Sequence, residues 1–161
     1  MTENPLTHLN ERGEARMVDV TAKDVTTRSA TARCRVTVSA EVAALLQSGQ
    51  MPKGDALAVA RIAAIQATKR TPDLIPLCHP IAVHGVDVDV SLTEDGRAVE
   101  IVATVRTADR TGVEMEALTA AAVGGLTVID MVKGRDRTAA ITEVVLLEKK
   151  GGRSGHWVRG S

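Results

Sequence analysis

One stretch of the chain, residues 111–134, limits the fold strongly, because it is too apolar and too rich in small residues to be a surface helix. Its centre, residues 117–129, contains only Ala, Val, Leu, Ile, Gly and Thr. Acidic residues precede this run, and Asp130 and Lys133 follow it. The pattern predicts a helix that is buried along most of its length and whose charged ends emerge at the surface of the core.

Asp130 and Lys133 are three residues apart, so a helix places both side chains on one face and within reach of each other. A carboxylate and an amine held together at the rim of a core can exchange protons with a substrate. The same spacing also fits an ordinary ion pair at a helix end, so the pair alone does not identify a site.

The composition indicates what the core is made of. The 161 residues fit one domain, and they include no Phe, no Tyr and a single Trp, Trp157. The core must therefore consist of Ala, Val, Leu and Ile. Because aromatic side chains bury the largest area per residue, a core without them gains less from burial. We therefore expect the protein to oligomerise.

Charge and cysteine content exclude several classes of protein. The formal net charge is zero and the basic residues are dispersed, which argues against nucleic-acid binding. Cys34 and Cys78 are too few for a disulfide framework and fit a reducing cytoplasm. The polar N-terminus has no signal-peptide pattern, and no uninterrupted apolar run approaches the ~18 residues of a membrane span. We expect a cytoplasmic protein.

The chain divides into a polar, turn-rich N-terminal arm (1–30), a folded domain (31–150) and a Gly-rich C-terminal tail (151–161). Strict alternation predicts that the domain begins with a half-buried strand over 31–38. A short helix follows, for which Ser39 is the expected N-cap and Gly49 the expected C-terminal stop.

The middle of the domain is predicted to contain a long helix and a stiff loop. Residues 53–70 are almost all helix formers, and they are apolar around more of the circumference than one sheet face can cover, which predicts contact with a second subunit. Pro72, Pro76 and Pro80 follow, and three fixed φ angles argue against both a helix and a central strand.

The remaining elements fix the fold class. Residues 86–92 and 99–106 alternate around a turn and predict an antiparallel hairpin, a helix follows over 114–132, and 141–149 read as a last strand. The order strand, helices, strand, strand, helix, strand is that of the ferredoxin-like split βαβ, an α+β fold whose antiparallel sheet carries its helices on one face.

Candidate site residues outside the apolar helix each allow two interpretations. Lys53 precedes a predicted helix N-terminus, where free N–H groups favour anions, but an exposed loop lysine is an equal alternative. His79 has its backbone fixed by prolines, which helps to aim an imidazole, although core histidines are more common. Cys78 has no metal-ligand pattern and no sequence feature that marks a base for it.

Acidic residues and glycines supply the last candidates. Glu114 and Glu116 are about 200° apart around a helix, so at most one of them shares a face with any given partner unless the helix begins between them. Carboxylates in a first helical turn are also ordinary caps. The segment GGRSG (151–155) fits either a phosphate cradle or a flexible tail.

Several collinear motifs carry a family resemblance that covers nearly the whole chain. These motifs resemble the cyclic pyranopterin monophosphate synthases, also called molybdenum cofactor biosynthesis protein C. The segments are MVDVTAKDVTTR (17–28), KGDALAVARIAAIQATKRT (53–71), DLIPLCHP (73–80), TGVEMEALTAA (111–121), DMVK (130–133) and GGRSG (151–155). The chain departs from the family pattern at GRDRTAA (134–140) and in the final HWVRGS.

The resemblance implies an enzyme, a lyase of molybdopterin synthesis. Its reaction would convert 3′,8-cyclo-7,8-dihydro-GTP into cyclic pyranopterin monophosphate with release of pyrophosphate. It also implies a homohexamer, a trimer of dimers, with active sites at the dimer interfaces. No redox centre is required, and a divalent cation on the triphosphate is compatible although no ligand cluster demands one.

The resemblance assigns roles by motif. It implies that Asp130 is the catalytic aspartate, that Lys133 shares its pocket, and that Lys53 is a second functional lysine. The implied substrate-binding residues are Leu77, Cys78, His79, Met115, Glu116 and Glu114, with Lys69, Arg70, Arg28 and Lys23 as candidates for the triphosphate. The alternative function is a non-catalytic ferredoxin-like binder of an anionic effector, because a fold alone does not fix function.

Overall fold

The computed structural model of the chain describes residues 8–160, so the start of the predicted arm and Ser161 lie outside the described residues. The elements are β1 (Thr26–Thr37), α1 (Ala40–Ser48), α2 (Ala56–Thr68), α3 (Thr71–Leu74), β2 (Gly85–Leu92), β3 (Ala98–Asp109), α4 (Glu114–Val132), β4 (Ala140–Lys150) and β5 (Trp157–Val158).

The strands form one sheet in the order β2-β3-β1-β4-β5, with every neighbouring pair antiparallel. The two long helices, α2 and α4, pack on each other and on one face of this sheet. The first four strands therefore have the split βαβ arrangement, and the predicted α+β, ferredoxin-like fold is confirmed.

The core lies between the sheet and these helices. In register, Cys34 of β1 faces Ile101 of β3 and Val36 faces Val99, and all four side chains are fully buried, as the alternation predicted. Alanines spaced four apart on α2 are buried against them. Small helix residues of this kind let two layers approach closely, which suits a core without aromatic side chains.

Two glycines of α4 set the distance between the helix and the sheet. A Cβ on Gly125 would come within 2.5 Å of Cys34 Sγ, and one on Gly124 within 3.1 Å of Ile101 Cγ2. Glycine has no side chain, so the helix backbone can lie directly on the strands. The apolar run in the middle of the sequence is therefore the buried helix that its composition predicted.

α4 is also long and apolar enough to cross a membrane by length and hydropathy alone, but 56% of that stretch is buried inside the protein. A core helix passes the same test. Ten of its residues are buried, mainly small and β-branched ones that pack on the sheet and on α2.

Two boundaries differ from the prediction on the N-terminal side. β1 begins at Thr26, so the last residues assigned to the arm belong to the sheet. The long helix begins at Ala56 and not at Lys53, because the Asp55 carboxylate caps it by accepting a hydrogen bond from the Ala58 N–H at 3.0 Å.

A single helical turn, α3, lies in the proline segment that was predicted to exclude helix. Pro72 lies in the first turn of α3, where no hydrogen bond from its nitrogen is needed and its fixed φ suits a helix. From Ile75 to His84 the chain has no helix or strand, as predicted.

The C-terminal segment adds a strand that was not predicted. Gly151 and Gly152 take φ angles of 88° and 73° and reverse the chain after β4. Trp157 and Val158 then pair with Lys149 and Glu148. A two-residue strand leaves too short a pattern to read from sequence.

Candidate active site

A cavity of about 370 Å³ lies at the N-terminal end of α4, between the loop that follows α3 and the N-terminal arm. Segments far apart in sequence meet there. Its walls are His8, Val18, Val20, Lys23, Leu77, Cys78, His79, Thr111, Gly112, Glu114, Met115 and Glu116. The structure therefore brings together all six predicted substrate-binding residues of the two motifs, together with Lys23.

The arm is held over this cavity by hydrogen bonds from the fold. His79 Nε2 lies 2.6 Å from the Val18 carbonyl oxygen, which can only accept, so this nitrogen carries the proton. Arg110 Nε donates to the Lys23 carbonyl oxygen at 3.0 Å. The imidazole and the Arg110 guanidinium therefore hold the arm beside the cavity.

Glu116 is the most buried ionisable group of the cavity, at 3% exposure. Burial raises the pKa of its carboxyl from 4.5 to about 7, and the negative charge of Glu114 adds to the rise. Burial, followed by the charge of Glu116, likewise raises the pKa of the Cys78 thiol. The thiol is therefore kept neutral, and the carboxyl can take up or release a proton near neutral pH.

Glu114 lies two residues before Glu116, in a different environment. Its carboxylate accepts a hydrogen bond from the Lys149 ammonium of β4 at 2.9 Å. The same carboxylate lies directly over Gly112, so a Cβ there would displace the Glu114 side chain. As the helical angle predicted, Lys149 pairs with one of the two carboxylates, Glu114, and not with Glu116.

A second cluster forms at the opposite end of α4. Lys133 Nζ lies 2.7 Å from Asp130 Oδ1, and Lys53 Nζ lies 3.5 Å from Asp130 Oδ2 and donates to the Asp130 carbonyl oxygen at 2.8 Å. The hydrogen bond from Lys133, followed by the charges of Lys133 and Lys53, lowers the pKa of the Asp130 carboxyl. The three predicted catalytic residues therefore form one exposed cluster.

The surroundings of Lys53 differ from the prediction. It lies in the turn before α2, but its ammonium reaches across to the C-terminal end of α4. There the helix dipole is negative and favours a cation. Because α2 and α4 pack side by side in opposite directions, the start of one helix meets the end of the other.

The two clusters are separated by the length of the helix. Glu116 and Asp130 are 14 residues apart on α4, which corresponds to about 21 Å along its axis. Within one chain the cavity and the lysine cluster therefore do not form a single pocket.

A second cavity, of about 600 Å³, adjoins the first and shares Lys23 with it. Its walls are Asp19, Ala22, Lys23, Asp24, Thr26, Arg28, Gly152 and Arg153. Arg28 Nε donates to the Asp109 carbonyl oxygen at 3.0 Å, which fixes the guanidinium there. Of the predicted triphosphate residues, Lys23 and Arg28 lie in this cavity.

The other two predicted triphosphate residues, Lys69 and Arg70, lie at the exposed C-terminal end of α2 and line neither cavity. The Arg70 guanidinium lies 3.4 Å from Asp73 instead. The binding of the triphosphate by Lys69 and Arg70 therefore stays a prediction.

Nearly the whole chain matches a known protein family. The MoaC family model matches residues 17–152, a stretch that includes the two motifs of the first cavity and the lysine cluster. The chain belongs to the MoaC family.

Relatives named cyclic pyranopterin monophosphate synthase match along nearly their whole length. A Streptomyces avermitilis protein of that name is 62% identical over 157 residues, which cover 98% of this chain and 91% of the relative. A Nocardioides relative with the same name is 57% identical and covers 99% of both chains. A Mycobacterium tuberculosis protein named cyclic pyranopterin monophosphate synthase 2 is 54% identical over 96% of this chain and 91% of its own length.

Some residues around the MoaC-family motifs could not be selected from the sequence. In the sequence, Lys149 is the last residue of a predicted strand and belongs to no motif. Its contact with Glu114 depends on β4 lying beside the start of α4. Arg153 was part of a segment with two interpretations. The apolar island at Val18 and Val20 gave a signal, but its position on the cavity follows from the tertiary fold.

Among residues 8–160, no three His, Cys, Asp or Glu side chains are arranged to hold an ion. Both cysteines, Cys34 and Cys78, are free thiols.

Proposed function

We propose that this protein is a cyclic pyranopterin monophosphate synthase that converts 3′,8-cyclo-7,8-dihydro-GTP into cyclic pyranopterin monophosphate and pyrophosphate. Membership of the MoaC family makes it an enzyme of molybdenum cofactor biosynthesis. The observation that carries the proposal is the cavity of about 370 Å³, where residues 77–79 and 114–116 of two family motifs meet around a buried carboxyl group.

The reaction requires repeated proton transfer. The imidazole ring of the purine must open by hydrolysis and close again on a sugar carbon, and each step moves a proton. A general acid or base works best when its pKa lies near the working pH. Burial gives Glu116 a pKa of about 7, which suits this task at neutral pH.

Formation of the cyclic phosphate supports assignment as a lyase. A ribosyl oxygen of the substrate attacks the α-phosphorus, the bond to the bridging oxygen breaks, and pyrophosphate leaves with that oxygen. Because the nucleophile belongs to the substrate, the protein needs only to deprotonate the attacking hydroxyl and to stabilise the leaving charge.

The lysine cluster supplies groups for these steps. Asp130 bonds both Lys53 and Lys133, so it fixes the two ammonium groups about a common point. Paired amines can donate and recover protons, and they can also neutralise phosphate charge. We assign Asp130 the role of orienting the two lysines rather than reprotonating Lys133, because a carboxyl whose pKa is lowered carries no proton to return.

The triphosphate fits the adjoining basic cavity. Lys23 lines both cavities, so a nucleotide whose base lies in the first would extend its phosphates past this residue towards Arg28 and Arg153. A divalent cation on the triphosphate is compatible with Asp19 and Asp24 in the same wall. No redox centre enters this chemistry.

Assembly from two copies is part of the proposal. The cavity and the Asp130 cluster lie at opposite ends of α4, so a site that uses both must take one from each of two chains. Val59 and Ile62 of α2 and Leu126 of α4 are 44%, 61% and 58% exposed on the side of the helices away from the sheet. Such an apolar surface favours association, here in a homohexamer built from dimers.

Turnover of the purified protein tests the proposal. 3′,8-cyclo-7,8-dihydro-GTP, generated freshly because it is unstable, would be added while pyrophosphate release and pterin formation are followed together. We expect pyrophosphate and the pterin to appear in equal amounts. We also expect the enzyme to be cytoplasmic, where its two thiols stay reduced. Tight binding with neither product would favour the alternative, a non-catalytic binder of anionic effectors.

A further inference from the structure

Two carboxyl groups on one turn of α4 line the same cavity, yet they differ in their surroundings. Glu114 is 28% exposed and paired with Lys149 at 2.9 Å. Glu116 is 3% exposed, and no ion pair reaches it within residues 8–160. Lys149 comes from β4, outside both motifs that form the cavity.

We infer that Lys149 is a positioning residue that gives the two carboxyl groups different roles: it bonds and fixes the carboxylate of Glu114, and it leaves Glu116 as the group that gains and loses the proton. The inference rests on the proposed function only where it assigns that proton to the substrate. The ionisation itself is a property of the free protein.

The position of Lys149 is fixed by strands on both sides. It is paired with Ala30 of β1 and with Trp157 of β5, so its backbone lies inside the sheet. The ammonium therefore meets Glu114 from a rigid element, and the ion pair has little freedom to rearrange.

Electrostatics then link Lys149 to Glu116. Two carboxylates in one cavity repel each other, and a cation bonded to one of them offsets part of that repulsion. Without Lys149, the unpaired charge of Glu114 would oppose ionisation of Glu116 more strongly. The carboxyl of Glu116 would then hold its proton to higher pH.

Other titratable groups also face Glu116. The arm contributes His8 and Lys23, and the loop after α3 contributes Cys78 and His79. Cys78 is held neutral by its raised pKa, and His79 donates its Nε2 proton to the Val18 carbonyl oxygen. Lys149 differs from them because its ammonium is bonded directly to the second carboxylate.

The test is a titration of Glu116 in the whole protein, followed through the ¹³C signal of its side-chain carboxyl and assigned with Glu116→Gln. We expect Lys149→Met to raise the midpoint by about one pH unit, a tenfold change in proton affinity, and Lys149→Arg to restore it. Lys150→Met is the matched control, because it removes the same charge from the next residue, whose ammonium pairs with Glu148 at 3.0 Å.

An unchanged or lowered midpoint in Lys149→Met would overturn the inference. The pH dependence of kcat tests its second part: the limb that reports Glu116 should move upward with the midpoint. A shifted midpoint with an unmoved limb would overturn the assignment of this proton to the substrate. Failure of the proposed function would appear differently, as the absence of both products with the unaltered protein.

Discussion

Asp130 contacts two lysines at once, and this arrangement has a measurable consequence at the scale of one residue. We predict that Asp130→Asn lowers kcat by about 100-fold or more, because the neutral amide lacks the charge that orients both lysines. KM should change much less. Asp73→Asn is the control, since Asp73 is also an exposed aspartate, paired with Arg70 at 3.4 Å, and should keep normal turnover. Full turnover of Asp130→Asn would remove this carboxylate from the chemistry.

Glu116 predicts a pH dependence of stability. Its folded pKa, about 7, lies above the unfolded value near 4.5, so its favourable contribution is complete below pH 4.5 and is lost as the pH rises through 7. We expect Glu116→Gln to gain on the order of 3 kcal/mol relative to the unaltered protein between pH 4.5 and pH 8. Denaturant unfolding at both pH values and a fixed protein concentration measures this.

Glu94→Gln is the reference for that measurement, because Glu94 is exposed in the turn between β2 and β3. It should show the same pH dependence as the unaltered protein. If Glu116→Gln did so too, the Glu116 carboxyl would have to be ionised in the folded protein at neutral pH.

Close contact between α4 and the sheet gives a prediction at the scale of an element. Gly125→Ala would put a Cβ within 2.5 Å of Cys34 Sγ, so the helix must move away from β1. We expect a loss of about 1–3 kcal/mol in the free energy of unfolding. Gly134→Ala, where nothing lies within 4 Å of the added Cβ, is the control and should be close to neutral. Equal stability of the two variants would mean that the helix is not held at this distance.

The elements also explain how far the sequence could be read. Strong local signals predicted the fold: Ser39 and Gly49 do cap α1, and alternation gave β2 and β3. The turn at Pro72 was missed because a proline in a first turn does not break a helix. Family motifs selected the cavity residues, but only the packing of α2 against α4 brings Lys53 to Asp130. That contact joins residues distant in sequence, so no local pattern could show it.

At the scale of the whole molecule, the distance between the cavity and the Asp130 cluster along α4 predicts complementation between subunits. Asp130→Asn and Glu116→Gln should each be inactive alone, since each destroys one half of every shared site. When the two variants are mixed and allowed to exchange, half of the dimers contain one chain of each. One of their two sites is then intact, so activity should return to about a quarter of normal. Turnover before and after exchange, with mixing verified by native mass spectrometry, measures this.

No recovery in a verified mixture would mean that one chain supplies both groups. An Asp130→Asn and Asp73→Asn mixture controls for exchange itself, because Asp73→Asn leaves both halves of the site intact. Its activity should be proportional to the fraction of chains that keep Asp130.

The short strand β5 carries the residue that dominates the intrinsic fluorescence of the protein. The chain has one Trp, Trp157, and no Phe or Tyr. Trp157 is 40% exposed and is paired with Lys149 outside the core. Its fluorescence therefore reports on the C-terminal hairpin, beside the lysine that bonds Glu114 of the cavity. Release of β5 from β4 would change an emission signal that comes from one known position.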